Sequence, residues 1–262
     1  MLEGPVSRRN WMQAAALVFA GARWSPVQGA RLSDLINASR LSVCAVGTFN
    51  PLDNPRFSFR GSGFVIGDTG LVATCWHVLP DAAASTRPGV STLAIGVPSA
   101  DGLQMVEAEL AGSDRGKDLA VLRPRQRMAA GLPLAAASAI REGGDVALLG
   151  FPIGGTLGYR LVTHRGIVAS IVASSLPGAS ARQLDEGAVS RLREGAFELL
   201  QLDATAYPGN SGGPVIDLET GQVIGLVDMV LVKGNRESAL SSPTGITYAI
   251  PVRYLKDLLA RL

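Results

Sequence analysis

Gly209-Asn210-Ser211-Gly212-Gly213-Pro214 is the stretch that decides how this chain of 262 residues is read. A hydroxyl is a poor nucleophile near neutral pH unless a neighbouring base takes its proton, and histidine titrates nearest that range. The chain holds two histidines. His77 lies in Ala73-Thr74-Cys75-Trp76-His77-Val78, shortly after the apolar run Gly63-Phe64-Val65-Ile66-Gly67. An acid must orient such an imidazole and stabilise its charged form. Asp118 opens Asp118-Leu119-Ala120-Val121-Leu122, where a charge abuts an apolar strand pattern. His77, Asp118 and Ser211 are therefore the candidate catalytic residues. The backbone N–H groups of Gly209 and Ser211 are the candidate oxyanion-hole donors, because aiming two donors at one point requires a tight turn with little side-chain bulk.

Chain order separates the possible scaffolds. His, Asp, Ser resembles the chymotrypsin-type order. Gly209-Asn210-Ser211-Gly212-Gly213 also satisfies the G-x-S-x-G elbow of α/β-hydrolases, but that fold places its acid and then its histidine after the serine. No histidine follows Ser211, so the elbow lacks a base. A subtilisin-like order needs an aspartate ahead of the histidine; Asp34, Asp53 and Asp68 precede His77, none in so clear a strand-edge context as Asp118. An ordinary Gly-rich hairpin is the other reading of an isolated G-x-S-G-G, and the presence of both His77 and Asp118 weighs against it.

Composition agrees with a large all-β domain. The length suffices for a sizeable core, and the 31 glycines and 15 prolines supply many turns. A formal net charge of +2 with 18% charged residues points away from nucleic acid as a partner. Two cysteines and two histidines, none at zinc spacing, predict no metal and no cofactor. Cys44 and Cys75 either pair in an exported protein or are small core residues. His164 is read as a polar strand or loop residue near the cleft, and Arg123, Arg125 and Arg127 as a solvated linker.

The N-terminus reads as an address. Ser7-Arg8-Arg9-Asn10-Trp11-Met12-Gln13 resembles a bacterial twin-arginine export motif. The apolar stretch Ala14 to Ala22 that follows falls well short of the ~20 residues that span a bilayer. Cleavage after Ala22 or Ala30 is expected, so residues 1–30 form the export segment and 31–262 the folded domain. The expected location is periplasmic or extracellular, with no stable membrane span.

Short β-branched or alternating runs separated by Gly, Pro, Asp and Asn predict strands at Leu41–Phe49, Gly63–Gly67, Leu71–Thr74, Thr92–Val97, Met105–Leu110 and Asp118–Leu122. A second set falls at Asp145–Gly150, Tyr159–Val172, Glu198–Leu202, Gly213–Ile216, Val223–Leu231 and Ile246–Ile250. Arg123–Gly144 reads as the connection between the sets, and Ala181–Gly195 as an insertion carrying a helix. Pro251–Leu262 predicts a terminal amphipathic helix with Val252, Leu255, Leu259 and Leu262 on one face.

Gly61-Ser62-Gly63-Phe64-Val65-Ile66, Thr74-Cys75-Trp76-His77-Val78 and Asp118-Leu119-Ala120-Val121-Leu122 resemble the first-barrel motifs of the HtrA/Deg serine proteases. Gly166-Ile167-Val168-Ala169-Ser170, Leu202-Asp203-Ala204-Thr205, Gly209–Pro214, Val223-Ile224-Gly225-Leu226 and Gly245–Pro251 resemble those of the second. The resemblance implies an all-β fold of two packed six-stranded Greek-key barrels with a C-terminal helix: a first barrel at about 41–122, a linker at 123–144, a second barrel at about 145–250 and the helix at 251–262. It implies a serine endopeptidase acting on unfolded or exported polypeptides through His77, Asp118 and Ser211, with the cleft between the barrels. The alternative is a protease-like binding or chaperone scaffold, catalytically quiet until triggered. The substrate pocket implied by the match is Thr205, Ala206 and Tyr207 on one wall and Met229 and Val230 on the other, favouring small or medium apolar side chains.

Three departures qualify the resemblance. The family's PDZ domain is expected to be absent, the insertion Ser175–Glu198 is unlike the usual regulatory loop, and Asp228 stands where relatives carry a Ser or Thr whose hydroxyl donates to the triad aspartate. Trp24 alone is too little aromatic character to decide between monomer and trimer.

Overall fold

The structure, a computed structural model, describes residues 32–80, 91–99, 102–128, 131–154, 158–174, 197–228 and 245–262. The export motif, Trp24, the helix expected at 181–195 and the pocket residues Met229 and Val230 lie outside the described residues.

Twelve strands form two closed barrels. β1 (Val43–Phe49), β2 (Phe57–Val65), β3 (Val72–Cys75), β4 (Thr92–Ser99), β5 (Gly102–Asp114) and β6 (Leu119–Pro124) close in the order β1-β2-β3-β6-β5-β4. The second barrel repeats that order: β7 (Asp145–Gly150), β8 (Val162–Ala173), β9 (Glu198–Asp203), β10 (Pro214–Asp217), β11 (Val223–Asp228) and β12 (Ile246–Pro251) close as β7-β8-β9-β12-β11-β10. Placing the sixth strand beside the third makes each barrel a Greek key, and closure leaves no strand edge unpaired. All the expected strands are present. Two are much longer than their apolar runs: β2 and β5 extend into polar residues that pairing with β1 and β4 recruits.

Strand burial follows from position. The middle of β8 alternates between exposed and covered residues, as a one-sided strand does. In contrast, every residue of β3, β10 and β11 is buried. β3 and β11 approach one another across the barrel interface, and β7 lies against β1 and β2. These strands therefore carry apolar runs rather than alternation, and the cleft-forming loops rise from their ends.

The connection between barrels is pinned to both. Leu132 N–H donates to Val65 O (2.9 Å) and Gly67 N–H to Leu132 O (2.9 Å), while Val223 N–H donates to Pro133 O (2.8 Å) and Ala135 N–H to Val223 O (2.9 Å). Among the described residues two α-helices complete the fold, α1 (Leu32–Ser39), which the sequence reading did not anticipate, and α2 (Val252–Leu259). α2 buries Val252, Leu255 and Leu258. The expected face differs in two respects: Leu258 is buried in place of the expected Leu259, which is half-buried, and Leu262 falls after the helix ends and is 51% exposed. Pro251 ends β12 and caps the helix from outside. Arg261, just past α2, reaches Asp114 of β5 at 3.1 Å, and Lys117 meets the same carboxylate at 3.2 Å. These contacts tie the C-terminus to the first barrel.

Cys44 and Cys75 are both free and buried, so the unpaired reading holds. Burial pushes the Cys44 thiol up to about 12, leaving it a neutral core side chain on β1.

Candidate active site

His77 sits in the 3₁₀ turn Trp76–Val78 that follows β3. Arg60 of β2 holds the far side of this turn, donating from Nε to Val78 O (2.7 Å) and from Nη2 to Leu79 O (3.0 Å). Asp118 belongs to the turn before β6 rather than to the strand, and adopts φ +53°, a left-handed conformation uncommon outside glycine but better tolerated by Asp and Asn than by most residues. Two backbone bonds fix it there: Asp118 N–H donates to Arg115 O (3.2 Å), and Trp76 N–H donates to Asp118 O (3.0 Å). The Arg115 guanidinium stacks over the Trp76 ring at 4.3 Å, closing the same turn from outside.

Both carboxylate oxygens of Asp118 are thereby committed to His77. Oδ1 accepts the His77 backbone N–H at 2.8 Å, and Oδ2 lies 2.5 Å from Nδ1. An ionised carboxylate can only accept, so the ring carries its proton on Nδ1 and leaves Nε2 as an acceptor. Asp118 is 4% exposed, whereas the His77 side chain is 31% exposed and opens toward the cleft.

The Ser211 turn is docked on the first barrel as much as on its own. Ser62 N–H donates to Ser211 O (2.8 Å), Ser62 Oγ–H donates to Gly209 O (2.6 Å), and Phe151 N–H donates to Ser62 Oγ (3.0 Å). Thr74 Oγ1–H in turn donates to Ser62 O (2.8 Å). Ile153 N–H takes the Pro208 carbonyl at 2.8 Å. Carbonyls 208, 209 and 211 are thus all turned onto partners, and the N–H groups of Gly209 and Ser211 donate to no other described residue. Glycine is required twice here. Gly209 has φ +106°, and a Cβ would lie 2.4 Å from Phe151 O; Gly212 has φ +81°, and a Cβ would lie 2.3 Å from Ser62 O. The adjacent Asn210 amide is buried with neither polar atom hydrogen-bonded, a local cost of about 1–3 kcal/mol.

Thr205, Ala206 and Tyr207 connect β9 to this turn. The Tyr207 ring rests against His164 of β8, centroids 5.6 Å apart. Burial lowers the His164 pKa, so the ring is neutral near pH 7. The sequence reading did not single out Ser62, Thr74, Arg60 or Cys75 for the site. The first two lie in motifs quoted for the first barrel, but nothing local to those motifs indicates that they grip a turn some 140 residues away. Cys75 lies directly behind the His77–Asp118 pair, its Sγ 3.3 Å from Val227 O. Burial, then the charges of Asp118 and Asp228, hold its thiol well above the ordinary cysteine value. Asp228, 2% exposed at the end of β11, therefore shares this region with Asp118.

Among relatives, the chain is 30% identical over 207 residues to "Serine protease HTRA2, mitochondrial" of Drosophila virilis, which covers 79% of this chain and 40% of that protein. It is 31% identical over 212 residues to "Probable periplasmic serine endoprotease DegP-like" of Brucella suis biovar 1 (strain 1330), covering 78% of this chain and 33% of that protein. The chain thus spans well under half the length of either. Two solved structures share the fold: HtrA-type protease AlgW with a tripeptide (TM-score 0.59, 22% identity, 87% of this chain and 62% of that one) and the Rv3671c protease from M. tuberculosis in its active form (TM-score 0.60, 22% identity, 86% and 82%). No helix among the described residues is long and apolar enough to cross a membrane. With two matching Greek-key barrels, a histidine–aspartate pair on the first and a glycine-flanked serine turn on the second, and with residues 61–226 matching the family model described as "Trypsin-like peptidase domain", the chain belongs to the trypsin-like peptidase family.

Proposed function

We propose that the chain is a serine endopeptidase that hydrolyses polypeptides through Ser211, His77 and Asp118. The observation that carries this reading is the commitment of both Asp118 oxygens to His77, which leaves Nε2 as the only basic atom of the ring. Ser211 Oγ attacks the scissile carbonyl while Nε2 takes its proton; the imidazolium then protonates the leaving amine, and water repeats the sequence on the acyl-enzyme. Asp118 remains ionised throughout and stabilises the imidazolium. The developing oxyanion is received by the N–H groups of Gly209 and Ser211, each worth about 3–4 kcal/mol in such sites.

The substrates are unfolded or exported polypeptides, in line with the periplasmic DegP-like relative. Export through the N-terminal twin-arginine-type segment belongs to the same proposal. The pocket implied by the motif match, Thr205, Ala206, Tyr207, Met229 and Val230, carries no fixed charge, and Val230 stands where a glycine opens deep pockets, which favours a small or medium apolar side chain at the cleavage site, to be read from a peptide-library profile. The test of the chemistry is fluorophosphonate labelling with peptide hydrolysis. The wild type is expected to label and turn over, while Ser211→Ala and His77→Ala fold normally and do neither. Hydrolysis undiminished in folded Ser211→Ala protein would overturn the assignment, and a wild type that binds polypeptide without labelling would favour the quiet scaffold.

A further inference from the structure

Cys75, His77 and Asp118 bring a thiol sulfur, an imidazole nitrogen and a carboxylate oxygen within 4.8 Å of one another. Their convergence follows from the fold. β3 ends at Cys75 and the 3₁₀ turn places His77 two residues later, while the bond from Trp76 N–H to Asp118 O draws the β5–β6 turn against both. Neither the two-residue step nor the 41-residue step to Asp118 resembles a zinc spacing, so the cluster is invisible in the sequence.

Sulfur, nitrogen and oxygen donors together suit a borderline-soft divalent ion, and zinc takes all three. Ligand atoms on one tetrahedral zinc stand about 3.3–3.8 Å apart, given bond lengths of about 2.0–2.3 Å. The pair Nδ1–Oδ2, now at 2.5 Å, needs to open by roughly 1 Å, and the His77 side chain is 31% exposed. Electrostatics favour the exchange. The Asp118 and Asp228 carboxylates both bear on Cys75, and a dication placed among them is attracted by both.

We propose that Cys75 Sγ, His77 Nδ1 and an Asp118 carboxylate oxygen form an inhibitory zinc site that switches the triad off. On binding, the thiol proton leaves to solvent and the single ring proton moves from Nδ1 to Nε2; no group changes oxidation state. With Nδ1 on the metal and Nε2 protonated, the imidazole has no lone pair left to take the Ser211 proton. The inhibitory consequence rests on His77 being the general base, whereas the site itself does not.

Two measurements on the full chain separate these points. Cobalt(II) titrated into Ser211→Ala protein should give a thiolate-to-cobalt charge-transfer band in the near ultraviolet. Zinc should displace it, Cys44→Ser should leave it intact, and Cys75→Ser should abolish it. In the wild type, zinc should inhibit peptide hydrolysis, a chelator should reverse the inhibition, and in Cys75→Ser the zinc needed for half-inhibition should rise at least tenfold. Absence of the band overturns the site, whatever the activity. Equal zinc sensitivity in wild type and Cys75→Ser overturns the switch. A wild type without Ser211-dependent hydrolysis counts against the peptidase reading alone, because the cobalt band still reports the ligands.

Discussion

Replacing Ser62 with alanine isolates the contribution of the first barrel to the Ser211 turn. Ser62 is fully buried and its hydroxyl makes two bonds, donating to Gly209 O at 2.6 Å and accepting Phe151 N–H at 3.0 Å. Alanine removes both and leaves a carbonyl and an N–H buried without partners, each costing about 1–3 kcal/mol. Because neighbouring groups relax in part, a total of about 2–4 kcal/mol is expected, which lowers Tm by about 5–15 °C in a domain of this size. The catalytic effect follows from the same bond: Gly209 O lies in the Gly209–Asn210 peptide plane, next along the chain to the Pro208–Gly209 plane that carries the proposed oxyanion donor Gly209 N–H, so its release loosens the turn that aims that donor. Loss of a whole donor costs about 3–4 kcal/mol and misaiming costs part of that, so kcat should fall by about 10–100-fold while KM changes little. Thermal unfolding and steady-state peptide hydrolysis on one preparation measure both quantities. A Ser62→Ala protein with wild-type Tm and wild-type kcat would refute the claim that the hydroxyl holds the turn.

Gly212→Ala should destabilise the protein by about 2–5 kcal/mol in urea unfolding, since the new methyl meets Ser62 O and Thr74 Oγ1 at a left-handed backbone position. Asp114→Asn should show a pH-dependent deficit. Burial opposes ionisation of Asp114, but bonds from Lys117 and Arg261 outweigh it and bring the folded pKa below the ordinary carboxylate value. A depressed folded pKa means that the unfolded chain binds more protons at acid pH. The stability difference between wild type and Asp114→Asn is therefore full above the ordinary carboxylate range and shrinks as pH falls through it, as denaturant midpoints along a pH series will show. A deficit that grows toward acid would contradict this sign.

Much of the architecture was legible because the strands are short apolar runs between turn residues, and because one histidine, one strand-edge aspartate and one glycine-flanked serine stand in a single feasible order. The boundaries that failed are informative. Asp118 lies in a left-handed turn rather than on β6, because its backbone is drawn to Trp76, a tertiary contact with no local signature. The length of β5 comes from partners on β4 and β6, not from its own sequence, which is polar along much of one face. α1 is short and weakly patterned, so little in Leu32–Ser39 distinguishes it from loop. The open alternatives for Cys44 and Cys75 depended on whether β1 and β3 bring the two sulfurs together. Closure of the barrel instead points Cys75 across the interface at Val227.

That interface also bears on how the chain is made. His77 and Asp118 belong to the half synthesised first, yet the turn carrying Ser211 takes its shape from Ser62 and Thr74 of that same earlier half. A second barrel that has closed on itself without meeting the first therefore presents its serine on a turn that keeps its own bonds to Ile153 and Val227 but lacks those from Ser62, with no base beside it. A chain caught mid-assembly, or one whose halves have been pulled apart, is inert by construction. On the mechanism proposed above, hydrolytic competence arrives only when the two barrels dock.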